Sequence, residues 1–270
     1  MAFDDVMDEA VARKPFKILA RMGYCARGLI YLVIGALAVA SVMGEGGGTT
    51  DTRGALTEIM RQPLGNTLML ALIVGLVGYV AWRLTQALFD ADRHGFTAKG
   101  LAIRAGLLIS AITHAVLAYW AGKLFLHLRT SSGGGAAQGQ GQAFLATDTG
   151  QLVLALVGVF VVVVGLAHLF KGFTARFDRY MEIPEDHRIW IKPLCRFGLV
   201  ARGVVWCMVG WFLIDSARRA NSSDIKGMGE AMDTLRNSPY GEWLLGIVAA
   251  GLIAFGLYNF LEAAFRRIRV

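Results

Sequence analysis

The stretch R-M-G-Y-C-A-R-G-L-I-Y at 21–31 returns as R-F-G-L-V-A-R-G-V-V-W at 196–206, and more loosely as R-A-G-L-L-I-S-A-I-T-H at 104–114. Arg21, Arg104 and Arg196 fall in register, as do Gly23, Gly106 and Gly198. Position seven is Arg27, Ser110 and Arg202, and position eleven is Tyr31, His114 and Trp206. One helical turn further come Gly35, Ala118 and Gly210. Each copy opens an apolar block, and internal repeats of this kind decide an architecture before any single site does.

The segments that follow also match. A-L-T-E-I-M-R-Q-P-L-G (55–65) answers to A-M-D-T-L-R-N-S-P-Y-G (231–241), with Gly150 standing where Gly65 and Gly241 stand. Counting on, Arg83, His168 and Asn259 are equivalent, and so are Gln86, Lys171 and Glu262. The repeat unit is therefore a pair of apolar helices. Crossing a hydrocarbon core of ~30 Å takes about 20 mainly apolar residues. Windows near 23–43, 64–88, 101–126, 150–172, 197–216 and 242–264 meet that length. The expected fold is all-α, a polytopic membrane protein of six transmembrane helices. They form three parallel helical-hairpin repeats, 1–95, 96–185 and 186–270, around a pseudo-threefold axis. An even number of helices per unit preserves orientation, unlike the inverted repeats of many transporters.

Composition agrees. Of 270 residues 55% are hydrophobic and 17% charged, with a mean hydropathy of +0.51, against about 45–50% and about 25% in soluble domains. A disordered or soluble globular chain is excluded. The net charge of +7 and pI near 9.5 could point to nucleic acid, but topology accounts for it. The N-terminal segment, the 2–3 and 4–5 connections and the C-terminus hold 19 Lys and Arg, and the opposite connections hold 8. Both termini are expected in the cytoplasm of a bacterial inner membrane. Ala38-Val39-Ala40 mimics a signal-cleavage site, but cleavage would destroy a helix that has counterparts later in the chain. Gly44–Thr50 and Ser131–Gln142 read as flexible outer connections. Cys25, Cys195 and Cys207 show no metal spacing and read as packing residues near helix ends.

The segments 20–38 (A-R-M-G-Y-C-A-R-G-L-I-Y-L-V-I-G-A-L-A), 54–65 and 81–90 (A-W-R-L-T-Q-A-L-F-D) resemble the bacterial membrane family known as "domain of unknown function 1206". That family has three two-helix repeats, so the resemblance covers nearly the whole chain. The first and third copies fit. The middle one departs, with Ser110 for the second arginine, His114 for the aromatic residue and no R-x-P-x-G segment. The resemblance implies the architecture and no activity.

Two readings of the repeated residues stand side by side. Gly23, Arg27, Tyr31 and Gly35 share a helix face by their spacing of four, as do Gly198, Arg202, Trp206 and Gly210. Small residues so spaced let helix backbones approach, which makes Gly23, Gly35, Gly106, Gly198 and Gly210 a packing seam. The arginines would then snorkel to the interface or pair with Glu262. Alternatively Arg27, Arg83, His168, Arg202, Asn259 and Glu262 come together in the cytoplasmic leaflet as a net-positive polar cluster. Such a pocket attracts an anionic headgroup. Haem is not expected, because His114 and His168 differ in depth by roughly 8 Å. The amphipathic pieces Ala55–Arg61 and Ala231–Arg236 read either as helices lying on the outer surface or as plain helix starts. No nucleotide, zinc-protease or hydrolase motif occurs. No enzyme, cofactor or metal is expected. The partners expected are membrane lipids, anionic ones among them, and a membrane-protein partner or further copies of the chain. The role expected is that of an accessory, scaffold or lipid-associated protein. The alternative is a small channel or transporter with its pathway along the threefold axis.

Overall fold

The protein is described by a computed structural model over residues 2–44, 50–128, 147–219 and 228–268, side chains of 2–14 and 228 excepted. The linker expected at 131–142 and most of the glycine-rich 44–50 fall outside that range. The helices are α1 (Ala2–Met43), α2 (Thr52–Arg61), α3 (Gly65–Leu88), α4 (Ala98–Phe125), α5 (Asp148–Thr174), α6 (Arg188–Arg219), α7 (Met228–Arg236) and α8 (Gly241–Phe265). Six of them, α1, α3, α4, α5, α6 and α8, are long and apolar enough to cross a membrane. Helices α1 and α6 extend beyond the apolar windows read from sequence. Hydropathy marks only the lipid-level part, whereas the backbone hydrogen-bond ladder runs on past it. Cys207 is a correction, since it sits mid-helix in α6, its Sγ 3.9 Å from the Val162 carbonyl.

The six long helices pack as a series of neighbours in the order α5, α6, α8, α1, α3, α4. Close backbone approach sets the pairings. A Cβ on Gly28 would lie 2.9 Å from the Gly256 carbonyl oxygen, and one on Gly203 would lie 2.9 Å from that of Gly165. These are equivalent contacts, α1 against α8 and α6 against α5, at glycines outside the spacing-of-four pattern. That pattern itself splits between neighbours. Gly23 faces Tyr79 of α3 and Gly35 faces Ile253 of α8, while Gly198 faces Phe255 of α8 and Gly210 faces Val162 of α5. Gly106 departs from the expected seam, because a Cβ there would meet nothing within 4 Å.

The first hairpin packs within itself, with Gly75 of α3 against Ala26 of α1, and so does the third, with Gly251 of α8 against Ala201 of α6. The helices of the middle hairpin, α4 and α5, share no packed face among the described residues. The position equivalent to Gly75 and Gly251 is Phe160, which is exposed. Repeated arginines tie even helices to the odd ones that follow. Arg104 donates to the Ala87 and Leu88 carbonyls at 2.8 and 2.9 Å, and Arg196 to those of Gly172 and Phe173 at 3.1 Å each. Both satisfy the orphan carbonyls of a helix C-terminus.

The P-x-G segments at 63–65 and 239–241 are tight turns. Leu64 and Tyr240 take left-handed φ of 66° and 60°, and the next residue is a glycine pressed on the preceding helix end. A Cβ on Gly65 would lie 2.3 Å from the Met60 oxygen, and one on Gly241 would lie 1.9 Å from the Arg236 oxygen. Helix α2 buries Ala55, Leu56 and Ile59 in the core, so of the two readings it takes that of a packed helix start. At the other end, Asp90 holds the α3–α4 turn by accepting the His94 and Gly95 amides at 2.7 Å each. Those bonds hold its carboxyl below the usual aspartate range. The stability they contribute is present above the ordinary aspartate pKa and is lost as pH falls through the lowered one.

Gly241→Ala is expected to cost about 1–3 kcal/mol through overpacking and to lower the thermal midpoint in detergent. Gly106→Ala, which meets open space, is expected to leave the midpoint unchanged or raise it.

Candidate functional site

The polar residues meet toward the end of the bundle where α1 starts and α8 stops, here termed the basic end. A plug forms its floor. Arg266, just past α8, donates from Nη1 to Glu262 Oε1 at 2.6 Å and from Nη2 to Asp92 Oδ2 at 3.1 Å. Gln86 Nε2 donates to the same Asp92 oxygen at 2.5 Å. The Tyr24 and Tyr180 rings lie 5.5 and 5.4 Å from the Arg266 guanidinium. Met181, in the α5–α6 connection, pairs by backbone with Arg266. Both carboxylates of the plug are thereby engaged by Arg266.

Above the floor stand Arg27 of α1 and Arg202 of α6, 7% and 5% exposed. Neither snorkels, and neither is hydrogen-bonded to Glu262, which corrects the simpler expectation. Arg27 Nη1 donates to the Tyr79 hydroxyl at 2.7 Å. Arg83 also donates to that hydroxyl, and from Nη1 to Gln86 Oε1 at 3.0 Å. The Tyr31 ring lies 4.6 Å from the Arg202 guanidinium. The ring of Phe255 lies 5.1 Å from the Arg27 guanidinium and 4.5 Å from that of Arg202, so two cations share one aromatic ring. Nε of Arg27, Nε of Arg83, and both Nε and Nη1 of Arg202 are buried without a hydrogen-bond partner among the described residues. Such groups cost about 1–3 kcal/mol each when left unsatisfied, and more when charged.

Helices α4 and α5 complete the surround. The His114 ring lies 4.6 Å from that of Tyr79, tilted by 50°, and Arg27 and Arg202 lie within electrostatic reach of both His114 and His168. Each histidine uses Nδ1 toward the carbonyl one turn back, Ser110 at 2.7 Å and Val164 at 2.8 Å. Lys171 Nζ donates to the Tyr258 hydroxyl at 2.9 Å. Asn259 Nδ2 donates to the Phe255 carbonyl at 2.6 Å, while its Oδ1 is buried without a partner among the described residues. The six polar residues anticipated from the sequence thus gather around one region, joined by Tyr79, His114 and Lys171. Asp92 and Arg266 were not anticipated as members. Arg266 stands four residues after Glu262, the i,i+4 spacing of a helical ion pair, which is the signal that could have found it. Asp92 lies in a loop and offered none. Two clefts on the basic end, of about 340 and 710 Å³, both lined by Arg179 and Arg267, lie outside the buried cluster.

The family profile of the Domain of Unknown Function DUF1206 matches residues 22–90 and 197–266. The chain belongs to that family. The two matched regions are the first and third hairpins, the copies that carry both arginines of the 21–31 pattern. The chain is also similar to the uncharacterized protein YxxB of Bacillus subtilis (strain 168), at 31% identity over 259 residues, 94% of this chain and 93% of that protein. No solved structure matches. Within the family, then, the buried arginine cluster has to be read from its own chemistry.

Arg266→Ala leaves Glu262 and Asp92 as buried charges without their cation and is expected to cost about 3–5 kcal/mol. Arg267→Ala breaks an exposed pair with Glu182 and is expected to cost about 0–1 kcal/mol. Thermal unfolding of both variants in one detergent checks the contrast.

Proposed function

We propose that the chain is a non-catalytic protein of a bacterial inner membrane. It holds an anionic phosphate or carboxylate group among Arg27, Arg83 and Arg202, in the role of an accessory, scaffold or lipid-associated component. The observation that carries this is the pair of buried guanidiniums sharing the Phe255 ring, with unpartnered donors, while both plug carboxylates are engaged by Arg266. An oxyanion would satisfy those donors at once, and guanidinium geometry suits it. The excess of Lys and Arg on the segments at the basic end supports cytoplasmic termini, which sets the cluster in the inner leaflet.

A channel or transporter along the bundle axis has less support. Beyond Tyr31 and Trp206 the interior layer is Ile34, Ala38, Leu72, Leu76, Leu245 and Leu252, and a conducting path needs polar groups throughout. The proposed role assigns no reaction to the chain.

The test is native mass spectrometry of the gently solubilised protein. The wild type is expected to carry an anionic adduct that Arg27→Ala with Arg202→Ala removes and Arg267→Ala leaves in place. A wild type without adduct, or an adduct indifferent to the double variant, overturns the reading.

A further inference from the structure

The arginine cluster is enclosed on three sides. At the basic end the α5–α6 connection lays Phe177, Met181 and Ile183 into the core, and Arg266 locks against Glu262 and Asp92. Toward the opposite end lies the apolar layer of Ile34, Leu72, Leu76 and Leu252. Helices α1, α3, α6 and α8 make the back wall. The fourth side lies between α4 and α5, the two ends of the helix series, which share no packed face among the described residues. Here His114, His168 and Lys171 are only half-buried, although the charge of Arg27 reaches all three. Both helices are otherwise poorly covered, with 6% and 11% of their apolar windows buried. The opening therefore faces hydrocarbon.

We propose that the cluster takes the phosphate of an anionic membrane lipid that enters sideways between α4 and α5, its acyl chains left in the gap. This rests on the anion-binding reading above and adds the source of the anion. Charge complementarity selects the head, because the donors left over are guanidinium nitrogens, and among the described residues no carboxylate is hydrogen-bonded to Arg27, Arg83 or Arg202. The route selects a lipid. An anion from water must pass the Arg266 plug, whereas a lipid brings its charge through the side and keeps its tails in the bilayer. By helical spacing Leu117 shares the face of His114, and Val161 and Val164 share that of His168. Three half-buried aliphatic side chains thus flank the tails while the head reaches Arg202 and Arg27.

The test uses the full chain in phosphatidylcholine vesicles with a trace of phosphatidylglycerol carrying a diazirine in one acyl chain. Illumination and peptide mapping are expected to place adducts on Leu117, Val161 or Val164. Those adducts are expected to disappear in Arg27→Gln with Arg202→Gln. Val164→Trp, which fills the gap and keeps both arginines, covers the case in which the double variant does not fold. It is expected to lose the adducts on Leu117 while still binding inorganic phosphate in detergent. Adducts spread evenly over outward residues such as Leu152 and Leu156, or unchanged in both variants, overturn the proposal. Phosphate binding by the wild type without gap adducts overturns the lipid and leaves the anion site standing. Binding of neither overturns both.

Discussion

Lipid tails are as apolar as leucine, so helices in a bilayer are not driven together by burying apolar surface, and close backbone contact has to hold them. In this bundle that contact falls at Gly28 against Gly256 and at Gly203 against Gly165. Each joins an odd helix to an even helix of another hairpin or of the same connection, so the repeats interlock. Ridges of larger side chains at these points would push α1 from α8 and α6 from α5. The Phe255 ring of α8 would then lose its place beside Arg27 and Arg202.

That packing makes the charge placement possible and gives it a cost. Two guanidiniums on one ring, deep among apolar helices, repel each other and leave donors unsatisfied. The plug shows how the same protein treats charges when no ligand is involved. Arg266 sits between two carboxylates, beneath two tyrosine rings, with Gln86 completing the Asp92 oxygen. Arg266 keeps one buried nitrogen, Nε, without a hydrogen-bond partner among the described residues, but its other two engage carboxylates, whereas Arg27 and Arg202 are hydrogen-bonded to none. Buried ionisable groups in a membrane are functional-site candidates by default.

The middle repeat is where the pattern breaks, and the break has a shape. Ser110 replaces the second arginine, His114 the aromatic residue, and Phe160 the glycine at the hairpin contact. Helices α4 and α5 share no packed face among the described residues, and His114, His168 and Lys171, which they carry, are half-buried. A degenerate repeat in an otherwise interlocked bundle is thus the natural place for a side opening.

By itself the sequence determined the six apolar spans, their repeat and the equivalence of Arg27 with Arg202, because length, hydropathy and residue spacing act along one helix. The glycine spacing of four was legible too, but not that Gly23 and Gly35 meet different helices, since one helix face borders two neighbours. Only the tertiary structure decided that both arginines turn inward rather than snorkel, because a side chain long enough to reach either destination carries no local signal. It also decided that Arg266 takes both Glu262 and Asp92. Asp92 lies 174 residues from Arg266, and nothing local records which loop a helix end will meet.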